Sequence, residues 1–297
     1  MTKRSSSYLI GRKNVIIVGI IIAVIVSSYY FVWSITKPSL FVTNSGKILD
    51  KFGMLGIYPT KSGGREWFIS MADPKSDGIF NPKSNITKQP DGSWQISGRP
   101  NIGKYDYEVR MNVNTPPGAE EWKNIEITGY ARVVSAEPPY NSLVWYARGG
   151  RHDSSIPCEG TSLKGGIKVN GVVSWAKEIW HTGGYTDKRA EAQVTNSLIG
   201  RWIGWKIVIY NIDNNNAVKM ESYLDDKADN KWIKVTDLID NGGWYSNSPD
   251  SVFYSANCGK PKDYVITNGG PIITFRSDNI VWDFKNLSVR EIQSPTN

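Results

Sequence analysis

"GRWIGWKIVIYNIDNNNAVKMESYLDDKADNKWIKV", residues 200–235, decides the fold. Its first run, "WKIVIYNI", alternates Trp205, Ile207 and Ile209 with Lys206, Val208 and Tyr210. Side chains on a strand point to opposite faces with a period of two, so this run has one apolar and one mixed face. After the turn "DNNN", "AVKMESYLD" opposes Val218, Met220 and Leu224 to Lys219, Glu221, Tyr223 and Asp225. "DKADN" then turns the chain into "KWIKV". Asn and Asp tolerate the left-handed conformations that such turns require, so the stretch reads as a three-stranded meander.

The same signature extends in both directions. "GSWQISG", "DYEVRMNVN", "NIEITGYARVV", "SLVWYAR", "GIKVNGVVSWAKEIWH", "GGPIITFRS" and "VWDFKNLSVREI" are short alternating runs separated by Gly, Asn, Asp and Pro. No stretch beyond residue 62 keeps a 3.6-residue apolar spacing with caps. Twelve tryptophans and fifteen tyrosines suit a pleated surface. Ten or so strands without a repeat or dividing linker predict an all-β, two-sheet jelly-roll sandwich over residues 63–297.

The meander followed by a closing strand, "DFKNLSVREI", resembles the concanavalin A-like lectin/glucanase superfamily. Within that superfamily it is nearest in character to alginate-lyase-like polysaccharide lyases. The resemblance implies a carbohydrate-engaging sandwich. The lyases carry an R-x-E-x-R strand, which "RAEAQ" (Arg189 to Gln193) matches in part, and a Q-[IV]-H triplet, in whose stead His181 follows Trp180. Glucanases carry a compact E-x-D-x-E-like strand motif, which this chain lacks.

The N-terminus reads differently. Lys3, Arg4, Arg12 and Lys13 precede an uncharged run from Val15 to Ile35 that ends among Tyr29, Tyr30 and Trp33. About twenty apolar residues span a bilayer as a helix. The positive-inside rule and the aromatic belt orient it with residues 1–14 in the cytosol. Residues 15–35 are therefore expected to be a transmembrane signal-anchor, 36–62 a stalk, and the remainder an extracellular domain. A cleaved secretory signal would have a shorter apolar core and a small-residue cleavage site.

The net charge of +7 shrinks once topology is considered. Four of the 35 Lys and Arg belong to the N-terminal flank, leaving 31 against 28 acids. So balanced a domain has no broad footprint for nucleic acid. Cys158 and Cys258 are the only cysteines, and in an exported chain they predict one disulfide. Closing a loop that long contributes up to about 4.7 kcal/mol by chain entropy.

Alternation selects the candidate site residues. A groove with Tyr and Trp platforms beside Arg, Lys and Glu suits a polysaccharide, whose rings stack on aromatics and whose polar groups take charge-assisted hydrogen bonds. In "LVWYAR", Tyr146 and Arg148 are expected on one face; the loop beyond, pinned by Cys158, carries Arg151 and His152. The segment "KEIWHTGGYTDKRAEAQ" adds Lys177, His181, Tyr185 and Arg189. Lys206, Tyr210, Lys219, Glu221 and Tyr223 of the meander complete the expected contact surface.

Three functions compete for these residues. Binding without turnover makes a surface lectin. β-Elimination from a uronate polymer needs a cation to neutralise the carboxylate and an acid–base pair, with Arg148, Arg151, Lys177, His152, His181 and Tyr185 the available types. Contacts to other envelope proteins form the third reading. Glycoside hydrolysis is disfavoured, because Glu221 and Asp225 lie about 13 Å apart along a strand. No cofactor is expected; a structural calcium at the clustered oxygens of "DDKADN" is the one metal option, although the turn lacks the glycine and terminal Glu of an EF-hand loop.

Overall fold

A computed structural model describes residues 41–42, 48–97, 108–137, 141–150, 153 and 155–295. The expected signal-anchor and its basic flank lie outside these residues, as do Arg151 and His152. Among the described residues no helix is long and apolar enough to cross a membrane.

Two antiparallel sheets face each other. The front sheet runs in the order β12 (Arg189–Gln193), β11 (Val172–Glu178), β10 (Ser162–Lys168), β9 (Ser142–Gly149), β16 (Ile272–Asp278), β7 (Glu108–Asn114) and β4 (Phe80–Pro82). The back sheet runs β15 (Ile233–Asp240), β14 (Ala217–Asp225), β13 (Trp202–Ile212), β8 (Ile125–Ala136), β17 (Ile280–Glu291), β6 (Trp94–Ser97) and β5 (Ile86–Lys88), with β3 (Glu66–Phe68) also paired to β17. A two-stranded ribbon, β1 (Phe41–Val42) and β2 (Ile48–Leu49), precedes them, and one short helix, α1 (Asp250–Ser255), follows the meander. This is the all-β sandwich the alternation requires. The meander is β13–β14–β15, and its first turn holds Asp213, Asn214 and Asn215 at φ of 50°, 52° and 68°.

The inner faces interlock through aromatic rings. Trp145, Trp175, Trp205, Trp282, Phe275 and Phe284 are fully buried between the sheets. Trp175 donates its indole N–H to Thr236 Oγ1 at 2.8 Å, and Trp282 donates to Ser277 Oγ at 3.0 Å, so two large rings are buried without losing those hydrogen bonds. Gly165 of β10 leaves room for this packing: a Cβ there would sit 2.7 Å from Ile207 Cγ2 on the opposite sheet and 3.1 Å from the Trp175 ring.

The outer face of the back sheet is closed rather than open. Residues 50–60, expected within a stalk, pack across it. Beneath them Glu126 of β8 is fully buried and accepts from Lys206 Nζ at 2.5 Å, from Arg290 Nη2 at 3.0 Å and from the Ile57 amide at 2.9 Å. Lys206 also donates to Leu55 O at 2.7 Å, and Arg290 donates to Tyr58 O and Thr60 Oγ1. Gly56 permits this contact, since a Cβ would lie 2.4 Å from Arg290 Nη2. Asn230, in the turn after β14, accepts from the Leu55 amide and donates to Gly53 O.

Burial alone would raise the Glu126 pKa, but Arg290 and Lys206 outweigh it and hold the carboxyl down to about 2. Its folded pKa lies below the ordinary glutamate value of 4.5. The linked stability, about 3 kcal/mol, is therefore complete above pH 4.5 and is lost as the pH falls toward 2. Glu126→Gln should lower unfolding stability at neutral pH by about 3–5 kcal/mol, because two buried cations lose their counter-charge. Denaturant titrations repeated across the acid range should also show the variant's stability falling less steeply between pH 4.5 and 2. Independently, Gly165→Ala should cost about 1–3 kcal/mol by overpacking, measured in the same way.

Candidate functional site

The front sheet presents a different outer face. Along β7, Val109, Met111 and Val113 are buried inward, which turns Arg110 and Asn112 outward. Along β16, Ile273 and Phe275 go inward and Thr274 and Arg276 outward. The register sets Arg276 directly opposite Arg110 and Thr274 opposite Tyr146 of β9, whose other neighbour is Lys164 of β10. Three cations and a tyrosine thus share one patch of sheet.

Their geometry is specific. Arg276 Nη1 donates to Tyr146 Oη at 2.9 Å, and its Nε donates to Asp278 Oδ1 at 2.9 Å. Lys164 Nζ lies 4.8 Å from the Tyr146 ring centroid and 4.9 Å from that of Tyr185, and forms an ion pair with Glu178. His181 Nδ1 lies 3.0 Å from Tyr185 Oη and 3.5 Å from Glu178 Oε1. Burial, followed by the neighbouring Arg276 charge, lowers the Arg110 pKa; burial is also the chief cause lowering that of Lys164. Tyr146 is pushed up to about 12, mainly by burial, and Tyr185 is raised by burial and the Glu178 carboxylate. Both phenols are therefore held protonated at neutral pH. Two guanidinium groups directly opposite on a ladder repel one another, and the patch keeps that cost while offering cationic and aromatic surface side by side.

The expected residues separate across the molecule. Tyr146, His181 and Tyr185 belong to the front-face cluster. Arg148 does not: its φ is 55°, the β9–β16 register shifts beside it, and its side chain turns into the interior to donate to Ile266 O and Lys123 O. Lys177 points inward like Trp175, its strand-mate, where it is fully buried against Asp240 (2.8 Å) and Tyr264 O. Alternation along "SWAKEIWH" groups Lys177 with His181, yet β11 ends at Glu178 and a turn, closed by the Gly184 amide on Trp180 O, returns His181 to the opposite face. Arg189 sits at the far edge of the front sheet and donates to Gly243 O.

Lys206, Tyr210, Lys219, Glu221 and Tyr223 belong to the back sheet. Lys206 is buried beneath residues 50–60. Tyr58 from that segment packs edge-on against Tyr210, 5.5 Å between centroids, and donates to Glu221 Oε2, as does Tyr223. Lys219 pairs with Asp237 at the margin. They share no groove with Tyr146. In the turn considered for calcium, the Asp225 carboxylate accepts from the Asp229 and Asn230 amides and from Tyr130 Oη. Among the described residues no group of three or more His, Cys, Asp or Glu side chains is arranged to hold a metal ion.

Alternation in "DYEVRMNVN" and "PIITFRSDN" would have pointed to Arg110 and Arg276, which the sequence reading passed over. Lys164 and Glu178 lacked an equally plain signal, because "TSLKGGIKV" could be assigned to a face only after its pairing with β9 and β11 was known.

Cys158 and Cys258 form a disulfide, with Cα atoms 5.4 Å apart. It ties the loop after β9 to the loop after α1. The first of these loops accepts the His181 amide on Glu159 O at 2.7 Å. α1 packs beneath the same turn, with Phe253 against Trp180 at 4.0 Å between centroids. The bond suggests an extracellular or secreted domain.

No protein-family model matches the sequence, and no curated protein matches it. Solved structures similar to it include the carbohydrate-binding module CBM66 from Bacillus subtilis, at 9% identity and a TM-score of 0.40, covering 71% of this chain and 95% of that one. A Lotus tetragonolobus seed lectin has 9% identity and a TM-score of 0.44, covering 78% and 100%. The family 7 alginate lyase A1-II′ has 10% identity and a TM-score of 0.40, covering 69% and 82%.

Replacing both Cys158 and Cys258 by Ser should lower stability by about 2–5 kcal/mol without abolishing the fold, since the bond adjoins only the small Ile179–Trp180–Phe253 cluster and not the inter-sheet core. Equilibrium denaturation of the variant beside the oxidised parent measures it.

Proposed function

We propose that this protein binds an acidic polysaccharide across the outer face of the front sheet. The observation that carries the reading is the cross-strand pair Arg110–Arg276, flanked by Lys164 and the Tyr146 and Tyr185 rings. On this patch Glu178 pairs with Lys164 and Asp278 with Arg276, and a uronate carboxylate reaching the two opposed guanidinium groups would lower the repulsion between them. A sugar ring against tyrosine adds apolar contact to the charge-assisted hydrogen bonds. The disulfide supports placing this domain outside the cell. In the same reading residues 15–35 anchor the chain, with 1–14 in the cytosol and the glycan-binding face outside.

A second reading adds turnover. His181 and Tyr185, 3.0 Å apart, supply a base and an acid beside those cations. In an elimination, His181 would take the proton α to the uronate carboxylate. The C–H electrons form the new C=C bond as the glycosidic C–O bond breaks, and Tyr185, kept protonated by burial and Glu178, would give its proton to the leaving oxygen. Arg148, turned inward, and Lys177, tied to Asp240, are not part of this proposal.

The test uses purified full-length protein with alginate, glucuronan and a neutral glucan, on affinity gels and by absorbance near 235 nm. The acidic polymers should retard it, less so as salt rises, and the neutral glucan should not. Arg276→Ala should weaken retardation about tenfold or more, while Lys219→Ala on the back sheet should leave it unchanged. Equal retardation of wild type and Arg276→Ala would sink the front-face reading. Absorbance that rises with wild type and stays flat with His181→Ala would add the lyase activity; no rise in either would leave a binding protein.

A further inference from the structure

Tyr245 is 59% exposed, and among the described residues no other ring and no hydrogen bond engages its side chain. Its backbone, by contrast, is held on both sides. Trp244 before it is buried and donates its indole N–H to Asp187 O at 2.9 Å. Ser246 after it is buried as well, and donates its amide to Lys262 O at 2.7 Å and its hydroxyl to Gly183 O at 2.6 Å. A large ring is thus projected into solvent from a fixed support, where it adds nothing to the inter-sheet core.

The register places that ring on the face that carries the cation cluster. Glu178, at the end of β11, bridges Tyr185, and Thr186 bridges Ser246, both antiparallel. The Asn247 amide donates to Tyr185 O at 2.9 Å. Residues 185–187 and 245–247 therefore continue the front sheet beyond Glu178. Paired residues on adjacent strands share a face, and every second residue along a strand returns to it. Thr186 and Ser246 are buried, so Tyr185, Asp187, Tyr245 and Asn247 point outward with Glu178. Asn247 Nδ2 donates to Asp187 Oδ1 at 3.3 Å, so outward side chains of the two segments meet there. Tyr245 is the diagonal neighbour of Tyr185 on this surface, about 7–8 Å away.

Tyr146, Tyr185 and Tyr245 thus follow one another across the sheet. Four strand spacings separate β9 from residues 245–247, about 19 Å, the reach of several linked sugar rings. Toward the other edge, Thr274, Asn112 and Asn81 lie in register beside Tyr146 and offer uncharged hydrogen-bonding groups. The face continues past the cations in both directions.

We propose that the front face takes an internal stretch of the polysaccharide laid across the strands, with Tyr245 as a remote subsite on which a sugar ring stacks beyond the cation cluster. This rests on the acidic-polysaccharide reading. A uronate carboxylate at Arg110 and Arg276 fixes the chain, and Tyr245 contributes by apolar contact with a ring farther along it.

Isothermal titration of the full-length protein with oligoglucuronates and oligomannuronates, from disaccharide to octasaccharide, tests this. Wild-type affinity should rise with length. Tyr245→Ala should weaken octasaccharide binding about threefold to tenfold and leave the shortest binding member unchanged. Tyr245→Phe, which keeps the ring, should match wild type at every length, whereas Arg276→Ala should weaken every length. Unaltered octasaccharide binding in Tyr245→Ala, with Arg276→Ala weakened, would overturn the remote subsite and leave the front-face reading standing. So would a short oligomer weakened as much as the octasaccharide. Failure of the wild type to bind any of them would sink the front-face reading and this subsite with it.

Discussion

The Glu126 carboxylate is fully buried and is held by Lys206, Arg290 and the Ile57 amide. Around this interaction the back of the molecule is organised. Three adjacent strands, β13, β8 and β17, each contribute one charged side chain to the same face, where water would otherwise be required. Residues 50–60 take the place of that water, donating and accepting the remaining hydrogen bonds through their backbone. Once that segment is in place, Tyr58 extends the cover to Tyr210 and Glu221.

The outer face of the front sheet is built differently. The two outer faces have similar ingredients, tyrosines with lysines, arginines and glutamates, but different electrostatics. On the back face Glu126 lies between its two cations. On the front face Arg110 and Arg276 lie side by side, with Lys164 held between tyrosine rings and paired to Glu178. The back-face charges are buried beneath a chain segment, whereas the front-face cations lie beside tyrosine rings on an outer sheet face.

Much of this was legible in the strands. Trp205, Ile207 and Ile209 could only be core, and Lys206 and Tyr210 could only be outside, because a pleated strand admits no third direction. Alternation failed where strands end or bulge. Arg148 leaves its expected face through a left-handed backbone at a register shift, and His181 crosses to the other face because β11 stops three residues earlier. Neither event has a local signature, since Arg is not a residue that favours positive φ.

The sequence by itself determined the all-β class, the meander with its Asn-rich turn, and the two cysteines available for a single bond. These follow from local periodicity, turn chemistry and counting. Only the tertiary structure decided which outer face each strand contributes to, that residues 50–60 cover one of them, and that Arg110, Tyr146, Lys164, Glu178, His181 and Tyr185 meet on the other. Those outcomes depend on sheet order and register, which bring together residues as far apart as Arg110 and Arg276. No local pattern encodes which strand will lie beside which; that is settled by burying all the inner faces in one core.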